Sequence, residues 1–399
     1  MTVVILCLFV FVSKRYKDLH TYSSSTISSD VEKDFTNERS NREINTEHGR
    51  SDVKISITNG RSDITIDGPA SNKDSVVKTN GSMKFTLLTA YMRSGSTFLG
   101  SLLGIQSNIF YFYEPLHKQN IFKYVQGDQY CSYTKPECEL RPEKRELFLD
   151  FLTDLYNCTM VPHEDKLNVQ LFKMLGGPKW QKFSQCMVKT HNSAPKCLKE
   201  MENECKKYEF RSAKVLRMGL DDAAMLLNRL PNLRLIHLFR DPRAVINSHI
   251  HTGWFPMKSN NMQALEDDIK ALCSRLDHDT VAAHKVLKQY PDRIKIVQYD
   301  DLYGNITKLE KVFEFTGMPL TPTVKTYIKS KIGGKTLKTK GFHPAASYRG
   351  LLSYPIVQMV DKHCENALQM LGLRSFSSVE ELRNVSISHI NDKLTFVVN

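Results

Sequence analysis

The chain has 399 residues, of which 41% are hydrophobic and 25% charged, and its formal net charge is +12. This composition is close to that of ordinary globular proteins, so the chain can bury a full core. The basic surplus favours anionic partners such as a membrane surface, a nucleotide-like donor or an acidic glycan. The chain has no compact Lys/Arg run with interleaved aromatic residues, so we predict no nucleic-acid partner.

Residues 2–12, TVVILCLFVFV, are almost all apolar, but a bilayer span needs about 20 such residues. Three basic residues follow, and the positive-inside rule would place them in the cytosol. This orientation conflicts with a lumenal location of the rest of the chain. We interpret residues 1–17 as a membrane anchor, namely a signal-anchor whose first part is missing. The alternative is an anchor segment of atypical sequence. Residues 18–82 are polar and are typical of a disordered stem. We expect a folded domain at 83–376 and a tail at 377–399.

Cysteines and sequons indicate the compartment. Eight of the nine cysteines follow the apolar run, and an even number favours disulfides in an oxidising compartment. Zinc is the alternative, but the chain has no C-x-x-C pair and the cysteine spacings are too wide for a zinc finger. The spacings leave the disulfide pairing open. Asn-x-Ser/Thr sequons at Asn80, Asn157, Asn305 and Asn384 also favour the lumen of the secretory pathway.

Beyond the stem, short apolar strands alternate with helical patterns. We predict strands at 84–91, 109–113, 213–216, 233–239 and 294–299. Predicted helices begin at Ser96 and at Asp241-Pro242, and two further helices cover 264–289 and 308–316. This alternation predicts an α/β fold with a parallel sheet flanked by helices, in which ligands bind at the carboxyl ends of the strands.

The first predicted strand runs into a helix through a short polar segment, RSGSTF at 93–98. Gly95 permits a tight turn and a close approach of the backbone to a ligand. The helix N-terminus favours an anion. Ser96 and Thr97 can bind this anion, and they can also cap the helix. Arg93 adds a permanent charge. The Walker pattern G-x-x-x-x-G-K-[ST] is absent, so we predict a different phosphate cradle, with an ordinary strand–turn–helix junction as the alternative.

Residues 236–249, IHLFRDPRAVINSH, have a similar arrangement. Arg240 ends a strand, at the position where parallel sheets bind anions, and a helix capped by Asp241 follows. Ser248 lies about two turns into that helix, so Arg240 and Ser248 can hold one phosphate from two sides. The alternative is a local Arg240–Asp241 ion pair with Ser248 as a surface hydroxyl.

The two segments together resemble the donor-binding signatures of the sulfotransferase superfamily. RSGSTF at 93–98 resembles the 5′-phosphosulfate loop, and FRDPRAV at 239–245 with Ser248 resembles the 3′-phosphate motif. The resemblance covers about residues 84–374 and extends to the carbohydrate sulfotransferases that act on the 6-hydroxyl of galactose, N-acetylgalactosamine or N-acetylglucosamine. The resemblance to these carbohydrate sulfotransferases rests on residues 226–244, YEPL at 113–116, YDDL at 299–302, Tyr348-Arg349, Cys364 and 371–372. His117 and Tyr348 stand where that family commonly has Trp.

This resemblance implies a P-loop-like α/β fold, 3′-phosphoadenosine 5′-phosphosulfate (PAPS) as the co-substrate, and no metal. It implies that the 5′-phosphosulfate is bound by the side chain of Arg93 and by the backbone of the residues that follow, namely Ser94, Gly95, Ser96, Thr97 and Phe98. Arg240 and Ser248 would bind the 3′-phosphate. The implied location is the Golgi membrane, with a type II anchor and a glycosylated, lumenal catalytic domain.

Sulfuryl transfer also needs a base for the acceptor proton. The resemblance points to Glu114, at the end of the strand IFYFY, and we expect burial among the neighbouring aromatic residues to raise its pKa. The alternative is a carboxylate that caps a helix or pairs with an arginine. His117 is the second candidate for the base. Arg217 ends another strand and could bind the donor, bind an acidic acceptor, or form a structural ion pair.

We therefore predict an enzyme that transfers a sulfuryl group from PAPS to a sugar hydroxyl of a glycan or glycosaminoglycan, with Arg93 and Glu114 as catalytic residues. The 6-hydroxyl is favoured because the DPRAV form of the second motif resembles that branch. The alternatives are another position, another acceptor such as protein tyrosine, or a membrane-attached glycan-binding protein without catalysis. Paired Asp300 and Asp301 could suggest a metal, but we expect them to begin a helix beside the Asn305 sequon.

Overall fold

The computed structural model describes residues 83–119, 122–252, 261–318, 320–332, 342 and 344–391, which belong to one compact unit. The expected anchor at 1–17 and stem at 18–82 lie outside these residues. Among the helices of the described part, none combines the length and the apolar character that crossing a bilayer requires.

Strands and helices alternate through most of this unit. The strands are β1 (Lys84–Ala90), β2 (Ile109–Tyr113), β3 (Lys123–Gln126), β4 (Gln129–Ser132), β5 (Cys138–Leu140), β6 (Phe210–Val215), β7 (Leu233–Phe239) and β8 (Ile294–Gln298). The helices up to β8 are α1 (Ser96–Gly104), α2 (Pro142–Tyr156), α3 (Val169–Leu175), α4 (Gln181–Lys189), α5 (Ala194–Cys205), α6 (Leu220–Arg229), α7 (Pro242–Thr252) and α8 (Met262–Gln289). The helices after β8 are α9 (Tyr299–Leu302), α10 (Ile306–Thr316), α11 (Pro322–Ile332), α12 (Tyr348–Leu351), α13 (Tyr354–His363), α14 (Glu365–Met370) and α15 (Val379–Arg383). Short 3₁₀ turns lie at Pro115–Lys118, Val161–His163, Pro178–Trp180 and Pro344–Ala346.

The central sheet has the strand order β2-β6-β1-β7-β8, and every neighbouring pair in it is parallel. The predicted α/β fold with a flanked parallel sheet is therefore confirmed. The inner strands β1 and β7 are almost entirely buried, which explains their nearly continuous apolar sequences. Since all five strands run the same way, the segments that follow β1, β2, β6 and β7 meet at one edge of the sheet.

The predicted strands match the structure closely except at β6, which begins at Phe210 rather than at residue 213. The missed residues include Arg211, a polar side chain that is buried because its guanidinium donates to the Tyr156 carbonyl at 2.7 Å. A pattern of apolar residues cannot reveal such a buried cation.

Sequence patterns also missed a second sheet, the antiparallel meander β3-β4-β5. Its strands are only three or four residues long and largely polar, so they give no clear alternation. The sheet is attached beside β6, where the Val125 N–H donates to the Arg217 carbonyl at 3.0 Å and the Gly219 N–H donates to the Val125 carbonyl at 2.8 Å.

The eight cysteines beyond the N-terminal run form four disulfides, as the sequence predicted. The pairs are Cys131–Cys138, Cys158–Cys205, Cys186–Cys197 and Cys273–Cys364. The three sequon asparagines within the described residues, Asn157, Asn305 and Asn384, are exposed.

The segment after residue 376, expected as a tail, packs on the body through Arg349. The buried Arg349 guanidinium donates to the carbonyls of Glu381, Leu382, Asn384 and Ile387 at 2.6–3.2 Å. These hydrogen bonds hold residues 381–387 in place, because the loss of any one of them would leave a buried N–H group of Arg349 without a partner.

Candidate active site

The loop between β1 and α1 has a backbone built to receive a ligand. Arg93 has a φ of 63° and Gly95 a φ of 89°. Gly95 is the N-cap of α1 and provides no side-chain cap. The Phe98 N–H donates to the Gly95 carbonyl at 3.0 Å, and the start of α1 offers the positive end of the helix dipole to a ligand. The expected capping by Ser96 and Thr97 is therefore wrong; the Thr97 hydroxyl lies instead 3.3 Å from the Tyr113 hydroxyl.

Only glycine fits at residue 95. A Cβ placed on Gly95 would lie 2.2 Å from a ring carbon of Tyr299, and its φ is one that L-residues rarely adopt. Tyr299 begins α9, directly after β8, which lies two strands from β1 in the sheet, and its ring packs closely against Gly95. The same ring lies 4.7 Å from the Arg240 guanidinium carbon. Tyr299 therefore holds the loop and Arg240 together.

The two predicted donor motifs meet at this loop. Arg93 Nε donates to the Ser248 hydroxyl at 3.0 Å, and Arg240 Nη1 donates to the Arg93 carbonyl at 2.8 Å. The alternative Arg240–Asp241 pair is wrong, because Asp241 binds Arg243 at 2.9 Å through both carboxylate oxygens. The Asp241 carboxylate also accepts from the Arg243 N–H at 2.9 Å, which confirms its predicted capping of α7.

The charges at this point favour an anion. Burial and the neighbouring Arg240 lower the pKa of Arg93 to about 10, because two like charges are held close together. Arg240 Nε is buried and has no hydrogen-bond partner among the described residues. A phosphate oxygen would satisfy this donor and neutralise both cations. Two arginines, a serine hydroxyl and a helix N-terminus thus form a site that could bind an anionic group such as a phosphate.

Glu114 follows β2 in a strained conformation with a φ of 46°. Tyr113 of β2 is paired in register with Lys214 of β6, and the Glu114 N–H donates to the Lys214 carbonyl at 3.0 Å. Its carboxylate lies 2.7 Å from Lys214 Nζ and 2.5 Å from Arg217 Nη1. All three side chains are buried, so the carboxylate is enclosed by two cations. We call Glu114, Lys214 and Arg217 the buried ion triad.

The expected rise in the pKa of Glu114 is wrong. Burial raises this pKa, but the charges of Lys214 and Arg217 outweigh the effect of burial and bring the pKa down to about 2. In turn, the pKa of Lys214 is raised despite its burial, because Glu114 stabilises its charged form. Of the roles left open for Arg217, the structure shows the ion pair. Sequence could not reveal the triad, since neither partner of Glu114 lies near it in the chain.

His117 lies on the turn after Glu114, and its N–H donates to the Glu114 carbonyl at 2.9 Å. Burial and the charge of Arg217 lower its pKa to about 4. His117 Nδ1 lies 3.1 Å from the side-chain amide nitrogen of Asn168, the N-cap of α3.

The paired aspartates after β8 lie in the first turn of a short helix, as expected. Asp300 contacts His389 at 2.8 Å, and Asp301 pairs with Lys308 at 2.6 Å. Asn305 then caps the next helix by accepting from the Lys308 N–H at 3.0 Å. These contacts give both carboxylates structural partners.

A further group of potential ligand atoms was missed in the sequence. Atoms of Asp221, His278 and Asp279 lie within 4.8 Å of one another. Asp279 already accepts from the Tyr91 hydroxyl at 2.7 Å and from the Leu220 N–H at 2.8 Å. These hydrogen bonds account for the buried carboxylate without a metal ion.

Comparisons with known proteins agree with this site. A model of the sulfotransferase family matches residues 87–322, which include both donor motifs and Glu114. Carbohydrate sulfotransferase 1 of Danio rerio is 27% identical, over 82% of this chain and 86% of its own length. Carbohydrate sulfotransferase 3 of Rattus norvegicus is 25% identical, over 80% of this chain and 73% of its own.

Among solved structures, the sulfotransferase domain from the curacin biosynthetic pathway aligns with a TM-score of 0.39 and 16% identity, over 72% of this chain and 97% of that domain. The family match and the curated relatives confirm the resemblance found in the sequence. The chain belongs to the sulfotransferase family.

Proposed function

We propose that this protein transfers a sulfuryl group from PAPS to a sugar hydroxyl, with the 6-hydroxyl of galactose, N-acetylgalactosamine or N-acetylglucosamine as the favoured acceptor. The observation that carries the proposal is the convergence of Arg93, Arg240 and Ser248 at the uncapped N-terminus of α1. The curated relatives are named carbohydrate sulfotransferases, which supports a glycan or glycosaminoglycan as the acceptor.

In this proposal the donor is held at two ends. Arg93 and the backbone of the residues from Ser94 to Phe98 bind the 5′-phosphosulfate, where the helix dipole stabilises the charge of the leaving phosphate. Arg240 and Ser248 bind the 3′-phosphate. The bond from sulfur to the acceptor oxygen forms as the bond from sulfur to the phosphate oxygen breaks, and 3′,5′-ADP leaves. The proposal includes no metal.

Glu114 is the proposed base. Its low pKa keeps the carboxylate ionised at neutral pH, so it can accept the proton of the sugar hydroxyl. A carboxylate with a pKa of about 2 is a weak base, and Lys214 and Arg217 therefore also determine when it can act. As the sulfuryl group leaves the donor, the negative charge on its oxygens competes with Glu114 for Lys214 and Arg217. The Glu114 carboxylate becomes more basic when it loses part of this counter-charge.

The proposed location is the Golgi lumen, with the anchor at 1–17, the stem at 18–82 and a catalytic domain at 83–376. Four disulfides and three exposed sequon asparagines within the described residues support an oxidising, glycosylating compartment. Protease protection of the full chain in sealed membrane vesicles tests the topology. A lumenal domain is protected until detergent is added, whereas cleavage without detergent would contradict the proposal.

The reaction is tested with sulfur-radiolabelled PAPS and a panel of acceptors: desulfated keratan, chondroitin, N-acetylglucosamine-terminated oligosaccharides and a tyrosine peptide. We expect label on one glycan, loss of transfer in Arg240→Ala and Glu114→Gln, and no loss in the matched surface variant Arg229→Ala. Transfer to the peptide alone would contradict the sugar acceptor. PAPS binding without transfer to any acceptor would favour a glycan-binding protein.

A further inference from the structure

His117 is a further titratable side chain close to the proposed base. It lies on the 3₁₀ turn Pro115–Lys118, immediately after the proposed base, and it is only partly buried whereas Glu114 is buried. Its side chain is therefore a group next to the buried ion triad that solvent, and hence an acceptor, can reach.

The partner of His117 fixes the direction of their hydrogen bond. The Asn168 side-chain oxygen accepts from the Leu171 N–H at 3.0 Å, because Asn168 is the N-cap of α3. This contact orients the Asn168 amide, so that its NH₂ group is the one that lies 3.1 Å from His117 Nδ1. An amide NH₂ can only donate, and Nδ1 must therefore accept.

An imidazole that accepts at Nδ1 carries its proton on Nε2 when it is neutral. The charged groups around His117 are Glu114, Lys214 and Arg217, which together leave a cationic surplus. Burial, together with this cationic surplus, lowers the pKa of His117 to about 4, so the ring is neutral at physiological pH. Nε2 then presents an N–H group, and it has no hydrogen-bond partner among the described residues. A nitrogen that already holds its proton cannot be the base.

We propose that His117 binds the acceptor by donating a hydrogen bond from Nε2 to a sugar oxygen, and that Asn168 is the positioning residue that fixes the tautomer of His117. This inference rests on the proposed function and deepens its acceptor side. It assigns His117 to acceptor recognition and leaves Glu114 as the base. A hydrogen-bond donor at this position selects sugars that place a hydroxyl, carbonyl or anionic oxygen within reach of His117 Nε2.

Nitrogen NMR on the histidine-labelled full chain tests the tautomer independently of catalysis. We expect the proton on Nε2 in the wild type, with the His117→Gln variant identifying the resonance. Asn168→Asp keeps the cap of α3, since a carboxylate also accepts from the Leu171 N–H, but it reverses the bond to His117. The proton should then move to Nδ1, or the ring should become charged. A wild-type ring that is protonated at Nδ1 or charged at neutral pH would overturn the proposal.

Kinetics test the acceptor contact. In His117→Phe we expect the KM for the sugar to rise about tenfold, the effect of one lost hydrogen bond, with kcat and the KM for PAPS changed less than about twofold. His117→Gln, whose amide can donate, should recover part of the loss. Asn168→Ser keeps the cap and should give an intermediate effect. A loss confined to kcat in His117→Phe would instead assign His117 to the base and overturn the proposal.

The two proposals fail in different ways. If the wild type transfers sulfate to no sugar, the proposed function fails, and the acceptor panel is then titrated into the labelled protein. A sugar that shifts the Nε2 resonance of His117 supports the binding role even without transfer. Active wild type whose His117 resonances do not respond to a saturating acceptor would overturn the role of His117 alone.

Discussion

The buried ion triad makes Glu114→Gln the most informative single change. In the folded protein the Glu114 carboxylate has side-chain exposure of 9% and faces two cations whose exposures are 0% for Lys214 and 2% for Arg217. Glutamine has nearly the same shape but no charge. The change therefore leaves the packing in place and removes the counter-charge of two buried cations.

The structure sets the magnitude of the effect. Folding lowers the pKa of Glu114 from 4.5 to about 2. A difference of this size corresponds to about 3 kcal/mol of stability at neutral pH, since one pKa unit is about 1.4 kcal/mol. Because the folded pKa is the lower one, this stability is complete above about pH 4.5 and is lost as the pH falls towards 2. Loss of one partner of a buried pair costs about 3–5 kcal/mol in other proteins.

Urea unfolding of the full chain with its disulfides intact measures this effect, and the fluorescence of the buried Trp180 is a suitable probe. We expect Glu114→Gln to lower the free energy of unfolding by about 3 kcal/mol at pH 7, with the same loss down to about pH 4.5 and a smaller loss as the pH falls from there towards 2. The matched control is Glu143→Gln, an exposed carboxylate 2.6 Å from Arg141, which should change little. A Glu114→Gln variant as stable as this control would show that the Glu114 charge does not stabilise the buried ion triad.

Three further changes test other parts of the structure. Gly95→Ala should abolish PAPS binding and lower the melting temperature by several degrees, because the alanine Cβ would meet the Tyr299 ring and the φ at residue 95 is unfavourable for alanine. Calorimetry measures both the binding and the melting temperature. Normal PAPS binding by this variant would contradict the described loop. Ser248→Ala should weaken the binding of 3′,5′-ADP about tenfold but leave that of 5′-AMP unchanged, and an equal loss for both would place the 3′-phosphate elsewhere. Replacing Cys273 and Cys364 together by Ser removes a link across 91 residues and should cost about 4 kcal/mol in urea unfolding, and an unchanged midpoint would argue against this pairing.

The sheet and the donor site were largely predictable from sequence, and for local reasons. Apolar runs reveal buried parallel strands, and a strand that ends in a basic or glycine-containing turn before a helix marks an anion site. Arg93, Arg240 and Ser248 were recognised in this way, and the structure brings them together. Their predicted roles in binding the donor remain to be tested.

The acceptor side depends on contacts that sequence patterns do not contain. Lys214 and Arg217 reach Glu114 only because β2 pairs with β6, and that strand order cannot be read from the individual strands. The sign of the pKa shift was wrong for this reason: the aromatic neighbours were visible in the sequence and the two cations were not. The hydrogen bond between His117 and Asn168 joins segments 51 residues apart and was equally hidden.

In the proposed reaction, sulfuryl transfer to a sugar uses a donor that the protein recognises through its 3′-phosphate. The most direct measurement quantifies sulfated glycan and released nucleotide together, with PAPS and with adenosine 5′-phosphosulfate, which lacks only that phosphate. We predict equal amounts of glycan sulfate and 3′,5′-ADP from PAPS, sulfate on the 6-oxygen of the sugar, and little transfer from the second donor. Equal transfer from both donors, or nucleotide release without a sulfated sugar, would show that the proposed reaction is wrong.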